Sequence, residues 1–128
     1  MIKALGTLGC VVLLTAPGLA ADPPGDLRSR LVGGYHFELP ECNSGAGFGL
    51  HADGTASYTE YFSGTWHVDG AVLVMDLVEY DWREVDGTFQ EVEIGREVIR
   101  GDVLDLGSDT ATFHWHGTGT VSQVYRCP

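Results

Sequence analysis

The sequence predicts an all-β domain: an antiparallel up-and-down meander of about 8–10 short strands, closed or nearly closed into a small barrel. Three observations predict it. Short runs rich in Val, Tyr, Phe, Trp and Thr alternate apolar and polar residues, and no window sustains a helical period. Glycine is frequent, 18 of 128 residues, and too scattered for helices. Asp53-Gly54, Asp69-Gly70 and Asp86-Gly87 each separate two apolar runs, and a tight hairpin turn needs the positive φ that Asp-Gly supplies.

Taken in chain order, residues 1–20 read as a secretory signal peptide. Lys3 supplies the positive start, an apolar run from Ala4 to Ala16 follows, and Gly18-Leu19-Ala20 sets small residues at the −3 and −1 positions of a cleavage site. The run is too short for a comfortable membrane span, and Pro17 ends it. A lipid-anchor motif around Cys10 would need an aliphatic residue at position 7, where Thr7 stands, so Cys10 is expected to leave with the signal. The expected location is periplasmic or secreted. Residues 21–30, with Pro23-Pro24-Gly25, read as an exposed leader, and residues 31–128 as one barrel domain.

Nine strands are expected: Gly33–Leu39, Ala46–His51, Thr55–Tyr61, Thr65–Val68, Ala71–Tyr80, Thr88–Arg100 with a bend at Gly95, Val103–Leu106, Thr110–His116 and Thr120–Arg126. The spacing places turns at Phe62–Gly64 and at Gly101-Asp102. Alternation puts Tyr35, Phe37 and Leu39 on one face of the first strand and His36 and Glu38 on the other; it likewise sets Trp66 against His67, and Phe113 and Trp115 against His114 and His116. In Ala71–Tyr80 both faces are apolar, so that strand is either covered on both sides or carries an exposed patch.

Cys42 and Cys127 remain after signal removal, and export makes a disulfide their expected state. In a meander, odd-numbered strands run the same way, so nine strands bring the ends of the first and last, and with them the two cysteines, to one rim.

Composition excludes several function classes. Seven Lys plus Arg stand against 18 Asp plus Glu, a net charge of −11, and without Lys3 the six arginines leave −12. Nucleic acid and anionic membranes both require a basic face, so neither is an expected partner. No lysine remains for Schiff-base or general-base chemistry. No catalytic residue is assigned: the Gly-x-Ser-x-Gly elbow is absent and no nucleophile has an evident base.

The histidines and acids are the candidate metal ligands. His114 and His116 are two apart and share a strand face, a workable bidentate pair, and His51 and His67 would join if their hairpins stacked. No Asp or Glu sits at a diagnostic offset, so no metal site or cofactor is assigned. Asp76, Glu79, Asp81, Glu84, Asp86, Glu91, Glu93 and Glu97 lack the spacing of a calcium loop and read as a solvated acidic hairpin, which could face a cationic partner. Trp82, among those charges, is either a contact point or, the simpler reading, a ring covering a barrel end.

Leu50-His51-Ala52-Asp53-Gly54-Thr55, followed by Gly64-Thr65-Trp66-His67-Val68-Asp69-Gly70 and Leu73, resembles a pattern of bacterial lipocalin-like envelope proteins, including the N-terminal domain of NlpE-type lipoproteins. The resemblance spans residues 35–79 and implies a calycin-type small barrel, a class that commonly binds ligands or partners. The family's lipid-anchor cysteine and paired cysteines are absent here, so no metal role is carried over.

The leading functional expectation is a non-enzymatic binding protein holding a small apolar or amphiphilic ligand against Trp66, Phe113 and Trp115. The alternative is a protein-binding envelope factor, such as a hydrolase inhibitor or immunity protein, docking a cationic protein through Asp81, Trp82, Glu84 and Asp86. An enzyme would require a cleft of converging polar groups. N-terminal sequencing of the exported protein is expected to begin at Ala21 or Asp22; a lipid-bearing start at Cys10 would overturn the export reading.

Overall fold

The structure is a computed structural model and describes residues 24–128, so the signal segment of residues 1–20 lies outside the described residues. Eight antiparallel strands run as a meander: β1 (Gly33–His36), β2 (Gly47–Leu50), β3 (Thr55–Tyr58), β4 (Phe62–Asp69), β5 (Val72–Val85), β6 (Thr88–Leu106), β7 (Thr110–Trp115) and β8 (Val121–Arg126). Each pairs with the next, and β1 pairs with β8 through Tyr35↔Arg126 and His36↔Tyr125, which closes the barrel.

The count is eight rather than nine because no turn forms at Gly101-Asp102. β6 runs through that point, and the register slips instead between Val103 and Asp105. Gly101 is there for close approach: a Cβ would lie 2.7 Å from the Trp115 ring. The turn expected at Phe62–Gly64 also moves. It falls between Tyr58 and Phe62, with Thr59 at φ 52°, while Gly64 lies within β4, where a Cβ would strike the Asp76 carbonyl oxygen. In both places glycine marks crowding between neighbours, which one-dimensional reading takes for a turn.

Residues expected to be an exposed leader form helix α1 (Pro24–Leu31). Proline suits a first helical turn, Asp26 lies in that turn, and Arg28 and Arg30 lie in the last, so the charges complement the helix dipole. Leu27 and Leu31, four apart, share a face and are 1% and 0% exposed. The helix closes one rim of the barrel. Tyr35 Oη donates to Leu31 O (2.6 Å), Arg28 Nη2 donates to Ala52 O (3.2 Å) and lies over the Trp66 ring, and Arg126 donates to Arg30 O (2.6 Å) and Gly107 O (2.8 Å). Burial pushes the Tyr35 hydroxyl up to about 12 against the opposing pull of Arg126, so it stays a neutral donor.

The interior is packed with side chains. Tyr35 stacks on Phe48 at 4.7 Å, Phe113 stacks on Trp115 at 4.9 Å, and Phe48 meets Phe113 edge-on. Of the doubly apolar strand, Leu73, Met75 and Leu77 point inward and are fully buried. Val74 and Val78 belong to the outer face yet are also buried; their ladder neighbours are His67 and Arg100, and Ser63 and Arg96. The strand is therefore covered at Val74 and Val78 on its outer face as well as on its inner one.

The Cys42–Cys127 disulfide is formed, with Cα atoms 5.7 Å apart. With an even strand count, Cys42 reaches its partner because residues 37–46 fold back along the outside of β1. His36, on that outer face and 2% exposed, holds the fold-back. Its Nδ1 accepts from the amides of Glu38 (3.0 Å) and Leu39 (2.8 Å), so its proton sits on Nε2 and is donated to Ser44 Oγ (2.7 Å). Gly34 leaves room for the bridge, since a Cβ there would lie 3.3 Å from Cys127 Sγ. Because β1 stops at His36, Leu39 is exposed rather than facing the core with Tyr35.

The bridge closes a loop of 85 residues. Replacing Cys42 and Cys127 with Ser is expected to lower unfolding free energy by about 2–5 kcal/mol, read from chemical denaturation with and without reductant. Equal stability of the two forms would show that the fold-back loop holds without it.

Candidate functional site

Three features of the surface carry chemistry. The first is an arm. At the register shift between Glu79 and Tyr80, β5 and β6 continue as a two-stranded ribbon to the Asp86-Gly87 turn, where both residues have positive φ, 53° and 81°. This is the hairpin chemistry expected of Asp-Gly. Every residue from Asp81 to Glu91 is exposed.

Cross-strand pairing sorts the arm into two faces. Tyr80 opposes Glu93, Trp82 opposes Glu91, and Glu84 opposes Phe89, so three aromatics and three carboxylates share one face. Trp82 is 65% and Phe89 71% exposed. The Trp82 ring therefore does not cover a barrel end. Of the residues expected to meet a partner, Trp82 and Glu84 lie on this face. Asp81 lies on the opposite face, paired with Arg83 at 3.2 Å, and Asp86 forms the turn. Glu91 and Glu93 belong to the acidic hairpin that the sequence suggests, whereas Tyr80 and Phe89 are additions; period-two alternation of both strands carries their signal, but only the register aligns them with Trp82. At the arm's base, Tyr61, Phe62, Tyr80, Trp82 and Glu91 border a recess of about 460 Å³ beside the β3–β4 turn.

The second feature is the rim opposite the helix. A cleft of about 490 Å³ opens there, bordered by Tyr58, Glu97, Ile99, Arg100, Trp115 and Thr118. Burial, with Glu97 as a lesser cause, raises the Tyr58 hydroxyl above its ordinary value. Of the three residues expected to hold a small ligand, only Trp115 borders this cleft. Phe113 is fully buried in the aromatic stack, and Trp66 is 3% exposed with its Nε1 donating to His51 O (2.8 Å) beneath the helix.

The third feature lies on the barrel's outer face. Asp102 on β6 pairs directly with His114 on β7. Its Oδ2 lies 2.9 Å from His114 Nδ1 and its Oδ1 2.9 Å from His116 Nε2, so one carboxylate bridges both imidazoles. Hydrogen bonds from His114 and then His116 hold the Asp102 carboxyl below its ordinary range. His51 and His67 do not join them, and both are exposed. Asp102 escaped sequence reading because the residue pair containing it was taken for a turn, and because its offset from His114 becomes meaningful only once β6 and β7 are in register.

No family model, curated protein or solved structure matches the chain.

A carboxyl whose folded value is lowered stabilises the fold above its unfolded value, about 3.9, and that contribution disappears as pH falls through the lowered value. Carboxyl NMR is therefore expected to place the Asp102 midpoint below about 3.9, returning toward it in a His114→Ala/His116→Ala variant. An unchanged midpoint in that variant would mean the hydrogen bonds are not its cause.

Proposed function

We propose that this is an exported, non-enzymatic binding protein that docks a cationic partner protein through the aromatic and acidic face of its β5–β6 arm. The observation that carries this reading is the face itself: Trp82 and Phe89 exposed by 65% and 71%, set among Glu84, Glu91 and Glu93 on a ribbon that projects from the barrel. Aromatic side chains of this kind provide the central anchors of protein interfaces, and surrounding carboxylates select a basic surface and speed encounter. An isolated two-stranded ribbon is marginal in water, so this one depends on strands continuous with the barrel. That arrangement presents the face without first having to order it, which lowers the entropic cost of docking. A hydrolase inhibitor or an immunity protein acts in this way, by occupying a basic surface rather than by chemistry.

The disulfide and the signal-like first twenty residues support a periplasmic or secreted location. The segment resembling lipocalin-like envelope proteins supports the same setting. Its Asp-Gly-Thr and Gly-Thr-Trp elements have structural work here: Asp53 Oδ1 accepts from the Thr55 amide (2.9 Å) and hydroxyl (2.7 Å), and Trp66 packs under Arg28.

A second reading, binding of a small apolar or amphiphilic ligand, is supported by the cleft beside Trp115, whose volume lies within the usual range for ligand sites. The filled barrel interior limits such a ligand to the mouth.

The test is capture from a periplasmic extract by the immobilised mature protein, by a Trp82→Ala/Phe89→Ala variant and by a Glu84→Gln/Glu91→Gln/Glu93→Gln variant. The expected result is a basic protein retained by the unmodified chain and lost from both variants, with retention falling as salt rises. Retention unaffected by either variant, or no basic protein retained, would overturn the docking reading.

A further inference from the structure

We propose that Asp102, His114 and His116 form a metal site on the outer face of the barrel. It would take one borderline divalent transition-metal ion, of which Zn²⁺ is the representative, and leave a coordination position open.

The ligand set is assembled by the barrel. Period-two alternation puts His114 and His116 on one side of β7, and ladder pairing puts Asp102 opposite His114 on β6. Ligand atoms of all three lie within 4.8 Å of one another. The two histidines turn different nitrogens to the same place, Nδ1 from His114 and Nε2 from His116. That choice matters. Residues two apart on a strand are separated by roughly 7 Å, whereas ligands of one zinc ion each stand about 2.0–2.2 Å from it. Presenting the near nitrogen of one ring and the far nitrogen of the other closes the gap, and both nitrogens already converge on one carboxylate.

Binding would replace the two imidazole–carboxylate hydrogen bonds with three metal–ligand bonds. Imidazole must be neutral and the carboxylate ionised to ligate. Two nitrogens and one oxygen suit zinc, copper or nickel far better than calcium or magnesium, which demand more oxygens.

The surroundings favour binding with access. Val72 and Val121 flank the cluster along the ladder, next to Asp102 and His114 respectively. The three side chains are 38–40% exposed, so solvent or a partner's side chain can reach the remaining coordination position. Arg100 is the adjacent outward residue on β6 and opposes a cation, whereas the chain's net charge of −11 favours one. The site is separate from the docking arm and does not depend on that reading.

Titration calorimetry with Zn²⁺ on the disulfide-bonded, untagged protein is expected to show one saturable site, with no heat from Ca²⁺ or Mg²⁺ at equal concentration. Loss of supporting groups alone costs about 10–100-fold in metal affinity, so Asp102→Asn and His116→Gln are each expected to weaken zinc binding by about tenfold or more. His51→Gln/His67→Gln is expected to bind as the unmodified chain does. In the unmodified protein, zinc is expected to shift the imidazole NMR signals of His114 and His116 and leave those of His51 and His67 in place, a readout independent of whether the variants fold. Absence of saturable zinc binding, binding that survives in Asp102→Asn and His116→Gln, or shifts confined to His51 and His67 would overturn the proposal.

Discussion

Closure of the ring rests on a strand of four residues. β1 must pair with β2 on one side and β8 on the other, and its contact with β8 consists of Tyr35↔Arg126 and His36↔Tyr125. So short a seam would be the weakest join of the barrel, and separate interactions converge on it. On the inside, Arg126 crosses from β8 to the helix carbonyl of Arg30 and lies over the Tyr35 ring. On the outside, His36 gathers the 37–46 loop against the strand, and Cys42 of that loop is bonded to Cys127 beyond the end of β8. Tyr35 and His36, adjacent in sequence and opposite in direction, thus serve the two sides of one seam.

With the seam closed, β1 and β8 present no free edge, and unpaired strand edges are what small β proteins must otherwise protect. Edges remain open in the ribbon beyond Glu79, where both strands face solvent, and along residues 96–99 of β6, which pair with β5 but not with β7. The ribbon carries six charged residues, and its Arg83–Asp81 pair, like the Arg96–Glu93 pair at its base, contributes little energy at such exposure but discourages edge-to-edge pairing. The same charge that keeps the ribbon single selects for a basic partner, so solubility and recognition place no opposing demands on it.

The helix decides where function can lie. Leu27 and Leu31 fill one mouth of the barrel, and the arginines of helix and β8 satisfy carbonyls of the surrounding turns. The other rim, the arm that springs from it and the outer wall remain. A packed aromatic core then removes the deep cavity that a larger barrel would offer, because the interior of an eight-stranded barrel is about as wide as its own side chains. Trp66 and Phe113, chosen as ligand contacts for their aromatic character, are used up in this filling; Trp115 alone, at the end of its strand, keeps a face toward the cleft.

The all-β class, the Asp-Gly turns and the inward faces of β4 and β7 were legible in the sequence, because period-two alternation and positive-φ turn chemistry are local properties of the chain. The Cys42–Cys127 pairing was legible too, although for a reason that did not hold: the bond survives an even strand count because a loop anchored by His36 turns back. What the sequence could not express is contact between strands. Gly64 and Gly101 look like turn residues until the Asp76 carbonyl and the Trp115 ring are seen to need the space. Helix α1 has too short a period to declare itself and forms because Leu27 and Leu31 find a barrel mouth to fill. The aromatic face of the arm and the convergence of Asp102 on two histidines exist only in register, and register is set by the closed sheet as a whole rather than by any segment of it.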